Sequence, residues 1–240
     1  MIRFDMLVAG CRMRVTCRYE STREYCRDYL CTDDGVPDLE AQVSDQELAH
    51  TLQAVPGIDE PWAEFTALYR PLARFLPEKN GFVIHGASIH YGGRAYLFTA
   101  PSGTGKTTHI RLWKRYLGQD VGIVNGDKPV ITVGSEVQIH GTPWAGKERW
   151  QRNLSFPLAG ICLVNRGMEN KVEKVSADAY LPFLLGQLFF GGEAPQVAKT
   201  MELLDATLSR VPVYRMECDM SRQAVECSFE ALTGQKFPNA

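Results

Sequence analysis

Short runs of alternating apolar and polar residues open the chain. Ile2 to Val8 and Met13 to Tyr19 each predict a strand, and Ser21, a residue suited to an N-cap, begins an amphipathic helical stretch to about Leu30. Thr32 to Asp38 carries turn residues. Leu39 to Val43 reads as a further strand, and Ser44-Asp45 starts a short helix. A longer helix is predicted from about Pro61 to Phe75, because Trp62, Phe65, Leu68, Tyr69 and Leu72 fall on one stripe. The polar, turn-rich Leu76 to Gly81 then marks a junction. The pattern therefore divides the chain into a small α/β region, 1–78, and a larger unit, 79–240.

In the larger unit β patterns dominate first. Phe82 to Tyr91 reads as one long strand that turns through Gly92-Gly93, free at positive φ, into Arg94 to Thr99. The strand leading into residue 100 is thus expected to be antiparallel to its predecessor. His109 to Leu117 has helical spacing, and short strands follow at Gly122 to Asn125, Pro129 to Val133, Val137 to His140 and Leu158 to Val164. The last third turns helical. One stripe is Leu181, Leu184, Leu185, Leu188 and Phe189, and a second is Val197, Met201, Leu204 and Leu208; a strand at Val211 to Glu217 and a helix from Ser221 to Leu232, stopped by Gly234, close the chain. The fold class expected is α/β, a β-rich mixed sheet with flanking helices.

Composition narrows the functional classes. Forty-five per cent hydrophobic residues over 240 positions suffice for a core, and 26 Lys+Arg against 28 Asp+Glu leave a net charge of -2. No basic excess recruits nucleic acid or an anionic membrane surface, so neither is expected as a partner. The longest greasy stretch, Tyr180 to Phe190, is interrupted and falls short of the roughly 20 residues of a membrane helix. Arg3 and Asp5 interrupt the first apolar segment, which argues against a signal peptide and for a cytoplasmic location. Seven cysteines form no C-x-x-C pair, which favours reduced core thiols over a redox or metal role for Cys26 and Cys31.

Residues 100 to 108, APSGTGKTT, carry the chemistry. They lie between a predicted strand and a predicted helix, the setting of a Walker A P-loop. Gly103 and Gly105 allow backbone dihedrals closed to other residues, so that successive N–H groups turn toward phosphates. Ser102, Thr104 and Thr108 supply spacing, phosphate contacts and the first helical turn; Lys106 brings a charge to the β and γ phosphates, and Thr107 a hydroxyl to Mg²⁺. A second metal contact is expected from a carboxylate at a neighbouring strand end, where Asp127 stands in Asn125-Gly126-Asp127-Lys128-Pro129. The cofactors predicted are ATP and Mg²⁺.

His85-Gly86, the hairpin, SGTGKT at 102 to 107 and a strand ending in an acidic residue resemble the catalytic domain of HPr kinase/phosphorylase and the nucleotide half of ATP-dependent phosphoenolpyruvate carboxykinase. The similarity covers about Gly81 to Val164 and is nearest to the short HPr-kinase-like proteins, some of which are peptide serine kinases. It implies a kinase that moves the γ-phosphoryl group to a serine of a peptide or small protein, and it makes a homo-oligomer reasonable. Members of the family carry two adjacent aspartates at the strand end, one for the substrate hydroxyl and one for the metal. Here the pair reads Gly126-Asp127, so the base is open. His85 is read as a base, as the group that orients one, or as a hydrogen-bonded core residue. In the loop Gly141 to Trp150, Lys147 or Arg149 is a candidate for neutralising charge on the phosphoryl group, and Glu148 offers a carboxylate. The alternatives are a kinase of small molecules such as a hydroxy amino acid, and a nucleotide-binding module without transfer. A decarboxylating carboxykinase ranks last.

Overall fold

In a computed structural model, which describes residues 1–238, the chain forms two sheets with helices packed on them. The first sheet is built from β1 (Ile2–Val8), β2 (Cys11–Cys17) and β3 (Leu39–Gln42), with β1 and β2 antiparallel and β2 and β3 parallel. Its alternation is plain in β2, where Cys11, Met13, Val15 and Cys17 point inward. On the other face Asp5 pairs with Arg12 and Arg14. The buried face is covered by α1 (Glu20–Tyr25), α2 (Asp45–Ala54), α3 (Glu60–Ala67) and α4 (Tyr69–Phe75).

The second sheet has nine strands among the described residues: β4 (Gly81–Val83), β5 (Ala87–Tyr91), β6 (Arg94–Thr99), β7 (Gly122–Asn125), β8 (Val130–Val133), β9 (Val137–His140), β10 (Ser155–Arg166), β11 (Lys171–Val175) and β12 (Val213–Cys218). Its path runs β4-β8-β9-β10-β6-β5-β7, and β12 branches from β10 to carry β11. The long β10 makes the curl. Ser155 to Pro157 pair antiparallel with β9, and the rest of the strand, past an irregularity between Leu158 and Gly160, lies parallel to β6 and β12. α5 (Lys106–Leu117) and α8 (Arg222–Thr233) cover one face; α6 (Leu181–Leu185) and α7 (Ala194–Leu208) cover the other. The architecture is thus mixed α/β, with a curled mixed sheet and flanking helices. No helix among the described residues is long and apolar enough to cross a membrane.

Several expectations need correction. Ser21 is not an N-cap: the first helix starts at Glu20 behind Tyr19, ends at Tyr25, and gives way to a 3₁₀ turn at Arg27–Tyr29. The helix predicted from Pro61 to Phe75 is two helices. Pro71 lacks an N–H for the carbonyl of Ala67 and its ring crowds that oxygen, and the break falls at Ala67–Leu68. Phe82 to Tyr91 is likewise two strands. β4 pairs with β8, whereas β5 pairs with β6 and β7. The expected antiparallel entry into β6 is present, with Gly92 and Gly93 at φ 57° and 75°. All seven cysteines are free; burial pushes the Cys17 thiol up to about 11 and that of Cys11 up to about 12, which suits core packing.

Candidate phosphate-binding site

The glycine-rich segment lies between β6 and α5. Gly103 and Gly105 have φ of 79° and 125°, where a side chain would be strained, and open space surrounds both. Gly105 is the N-cap of α5 and no side chain caps the helix, so the amides of its first turn point into this turn. Ser102 and Gly103 are exposed, whereas Thr104, Gly105, Thr107 and Thr108 are half-buried. From the end of β10, Arg166 donates to the carbonyls of Thr104 at 2.9 Å and Gly103 at 2.6 Å. Sequence reasoning missed this brace, since nothing in the local pattern sets Arg166 apart from a surface arginine.

Lys106 does not extend into the turn. It is 7% exposed, and its ammonium donates to the Ala100 carbonyl at 2.8 Å and to Nε2 of His85 at 2.9 Å. An ammonium only donates, so Nε2 accepts and the imidazole proton sits on Nδ1. That nitrogen faces Oδ1 of Asp127 at 3.1 Å, and the other carboxylate oxygen of Asp127 accepts from Lys128 at 2.5 Å. Lys106, His85 and Asp127 thus form one hydrogen-bonded row. Burial alone would raise the carboxyl of Asp127, but the His85 hydrogen bond and the Lys128 charge overcome it and hold the group well below the usual range. Burial lowers Lys106, partly offset by Asp127.

The break between β4 and β5 makes this row. At Ile84–Gly86 the chain leaves the first pairing; the His85 amide donates to Gln187 and that of Gly86 to the carbonyl of Asp127 at 2.9 Å. A Cβ on Gly86 would lie 2.7 Å from Leu97 and 3.0 Å from the carbonyl of Phe98. The turn that presents Asp127 is fixed by Asn125, whose Oδ1 accepts from the amides of Asp127 and Lys128, both at 2.8 Å, and whose Nδ2 donates to Thr142. Thr142 in turn donates to the carbonyl of Lys128 at 2.7 Å. Asn125 and Thr142 are fully buried, and nothing in the local pattern sets either apart from an ordinary turn residue.

Gly126 is forced by packing. A Cβ there would stand 2.7 Å from the carbonyl oxygen of Ala145 and 3.5 Å from Trp150, so no second carboxylate fits beside Asp127. Lys147 and Glu148 are not gathered into the row. Both are exposed, and Glu148 pairs with Arg111 of α5 at 3.3 Å. Arg149, at φ 51°, stacks over Tyr25 and Trp62. Trp144 is the loop's buried anchor, its indole donating to the carbonyl of Phe65 at 2.8 Å. Among the described residues no three His, Cys, Asp or Glu side chains cluster for a metal. A magnesium ion held by one carboxylate, one hydroxyl and phosphate oxygens needs no such cluster.

No protein-family model matches the chain, and no curated protein matches it. Among solved structures it is similar to the HPr(Ser) kinase/phosphatase from Coxiella burnetii, at 10% identity over 63% of this chain and 93% of that one, with a TM-score of 0.34, a distant likeness that leaves the assignment to the chain's own residues.

Proposed function

We propose that the protein is an ATP- and Mg²⁺-dependent kinase that transfers the γ-phosphoryl group to a hydroxyl, with a serine of a peptide or small protein as acceptor. The observation that carries this reading is the row Lys106, His85, Asp127 beside an uncapped, glycine-lined helix start. A triphosphate competes for Lys106 with neutral partners only, a carbonyl and an imidazole, and wins on charge. Thr107 and Asp127 are the residues to hold Mg²⁺, which when bound neutralises charge on the phosphates. Once Lys106 turns to the phosphates, Nε2 of His85 is free to accept a hydrogen bond from the incoming hydroxyl, with Asp127 orienting the ring through Nδ1. His85 thereby stands in for the carboxylate that position 126 has no room for.

A groove of about 890 Å³ is the surface we assign to the acceptor. Its walls include Tyr25, Lys114, Trp150 and Arg152, and Gln151 bridges to Asn125 at the strand end that carries Asp127. Its two carboxylates, Glu24 and Asp28, are paired with Arg27, whereas Lys114 and Arg152 stand in no ion pair among the described residues, which suits an acidic segment. The test is incubation with γ-labelled ATP, Mg²⁺ and serine-containing acidic peptides. Lys106→Ala is expected to lower labelling by about 10²-fold or more, as expected when one electrostatic donor is removed. Equal labelling by wild type and variant ends this reading.

A further inference from the structure

His85 is fixed at four points. Its amide donates to the carbonyl of Gln187 at 2.7 Å, and its own carbonyl accepts from the Thr99 hydroxyl at 2.8 Å. On the ring, Nδ1 faces Oδ1 of Asp127 at 3.1 Å and Nε2 accepts from Lys106 at 2.9 Å. The side chain is nevertheless 33% exposed, so its edge is open to a ligand. Thr99, the hydroxyl bonded to this residue, is spent on that carbonyl and is not aimed at the ring.

Both ring contacts select one tautomer. An ammonium only donates, so Nε2 carries a lone pair; a carboxylate only accepts, so Nδ1 carries the proton. An imidazole in this form is a nucleophile at neutral pH. A carboxylate bonded to its far nitrogen orients the ring and stabilises the positive charge that the ring gains when the near nitrogen forms a bond. Asp127 stands in that position, and its neighbour Lys128 is bonded to the other carboxylate oxygen, which leaves Oδ1 to the ring.

We propose that His85 is itself a phosphoryl acceptor: with Mg-ATP bound and no substrate hydroxyl at Nε2, this nitrogen takes the γ-phosphoryl group and the chain carries a phosphohistidine. The proposal rests on reading Ser102–Thr108 as a triphosphate cradle. In that reading Lys106 pairs with the β and γ phosphates, and its ammonium is the group that Nε2 touches when the cradle is empty. The Nε2 lone pair forms the N–P bond as the bond from the γ-phosphorus to the bridging oxygen breaks. The electron pair stays on that oxygen, now terminal in ADP, and Lys106 offsets its charge. No proton moves: Nδ1 keeps its hydrogen, and the positive charge on the ring faces the carboxylate of Asp127. A phosphoramidate has a transfer potential similar to that of ATP, so ADP takes the group back along the same path. A substrate hydroxyl, when bound, occupies the Nε2 lone pair and receives the group in place of His85.

Incubation of the full chain with γ-labelled ATP and Mg²⁺, without any peptide and quenched in alkali, tests this. Expected is label on the chain that survives alkali, is lost on warming in acid, maps to His85 by mass spectrometry of its fragments, and returns to ATP when unlabelled ADP is added. His85→Gln is expected to lose the acid-labile label, with a thermal melt on the same sample to check its fold. The mapping is done on the unaltered chain and so stands whether or not that variant folds. A parallel incubation includes the acidic serine peptides. Acid-stable label, label mapped to another residue, or an unlabelled chain that still phosphorylates those peptides overturns the phosphohistidine and leaves the kinase reading standing. No label on chain or peptide overturns both.

Discussion

A methyl group at position 126 would meet the Ala145 carbonyl at 2.7 Å, inside contact distance of backbone that Thr142, Trp144 and Lys128 hold in place. Gly126→Ala is therefore expected to destabilise the protein by about 1–3 kcal/mol, as overpacking does, and Gly126→Asp by more, because its carboxylate would face a carbonyl oxygen. Urea denaturation of both variants checks this; an unchanged midpoint would show that the loop gives way. A second single-residue prediction concerns His140, whose nitrogens meet Thr132 at 2.7 Å and Ser155 at 2.6 Å. Burial pushes this imidazole down to about 4. Its folded value is depressed, so the unfolded chain takes up the proton first: stability is full above the usual 6.5 and is lost as pH falls through the window from 6.5 to about 4. The loss is at most on the order of 3 kcal/mol, and His140→Gln should flatten that part of the stability profile in denaturation followed at stepped pH.

At the scale of elements, the end of β10 governs the glycine turn. Arg166 ties two of its carbonyls, which holds Gly103 and Thr104 in one arrangement before a ligand arrives. Arg166→Gln is expected to lower affinity for Mg-ATP by about tenfold, roughly the cost of ordering one residue of free backbone, with little change in melting temperature because the side chain is exposed. Calorimetry and a thermal melt on the same sample separate the two effects. Which elements were legible in the sequence follows from the range of their causes. α8 carries its own start and stop, the Ser221 hydroxyl accepting from the amide of Ala224 and Gly234 lying in the left-handed region, and both signals are local. The glycine turn is legible for the same reason: its conformation is written in Gly103 and Gly105. The split of Phe82 to Tyr91 was hidden, because continuous β pattern says nothing of a change of partner from β8 to β6, and that change delivers His85 to Asp127. β11 was hidden too, since its alternation is weak and its pairing with β12 is tertiary. The break at Pro71 is a consequence of the proline rule, but a strong apolar stripe runs straight through it.

For the whole molecule, the junction near residue 78 separates the two sheets in sequence, yet one apolar cluster spans it. Val83, Val130 and Trp144 are buried among Phe65, Leu68, Leu72 and Leu76, with Phe189 packed against the same cluster. Trp144 stacks on Phe65 with ring centroids 6.1 Å apart and donates to its carbonyl, and Lys128, the neighbour of Asp127, lies over the ring of Tyr69 at 5.4 Å. The early residues thus support the loop that carries the acidic group. Cutting the chain after residue 78 would expose these four apolar side chains. At about 1.5–3 kcal/mol each the loss is on the order of 6–12 kcal/mol, comparable to the entire stability of an ordinary domain. The fragment 79–240 is therefore expected to lack a cooperative thermal transition and to elute as aggregate in gel filtration, whereas the full chain melts once. A fragment that stays monomeric and unfolds cooperatively would mean that the covering of Trp144 by α3 and α4 serves recognition of the acceptor and is not a condition for folding; a phosphoryl-transfer assay on that fragment, run with the same acidic peptides, would then show whether the groove beside Tyr25 is needed for the acceptor or only for the loop.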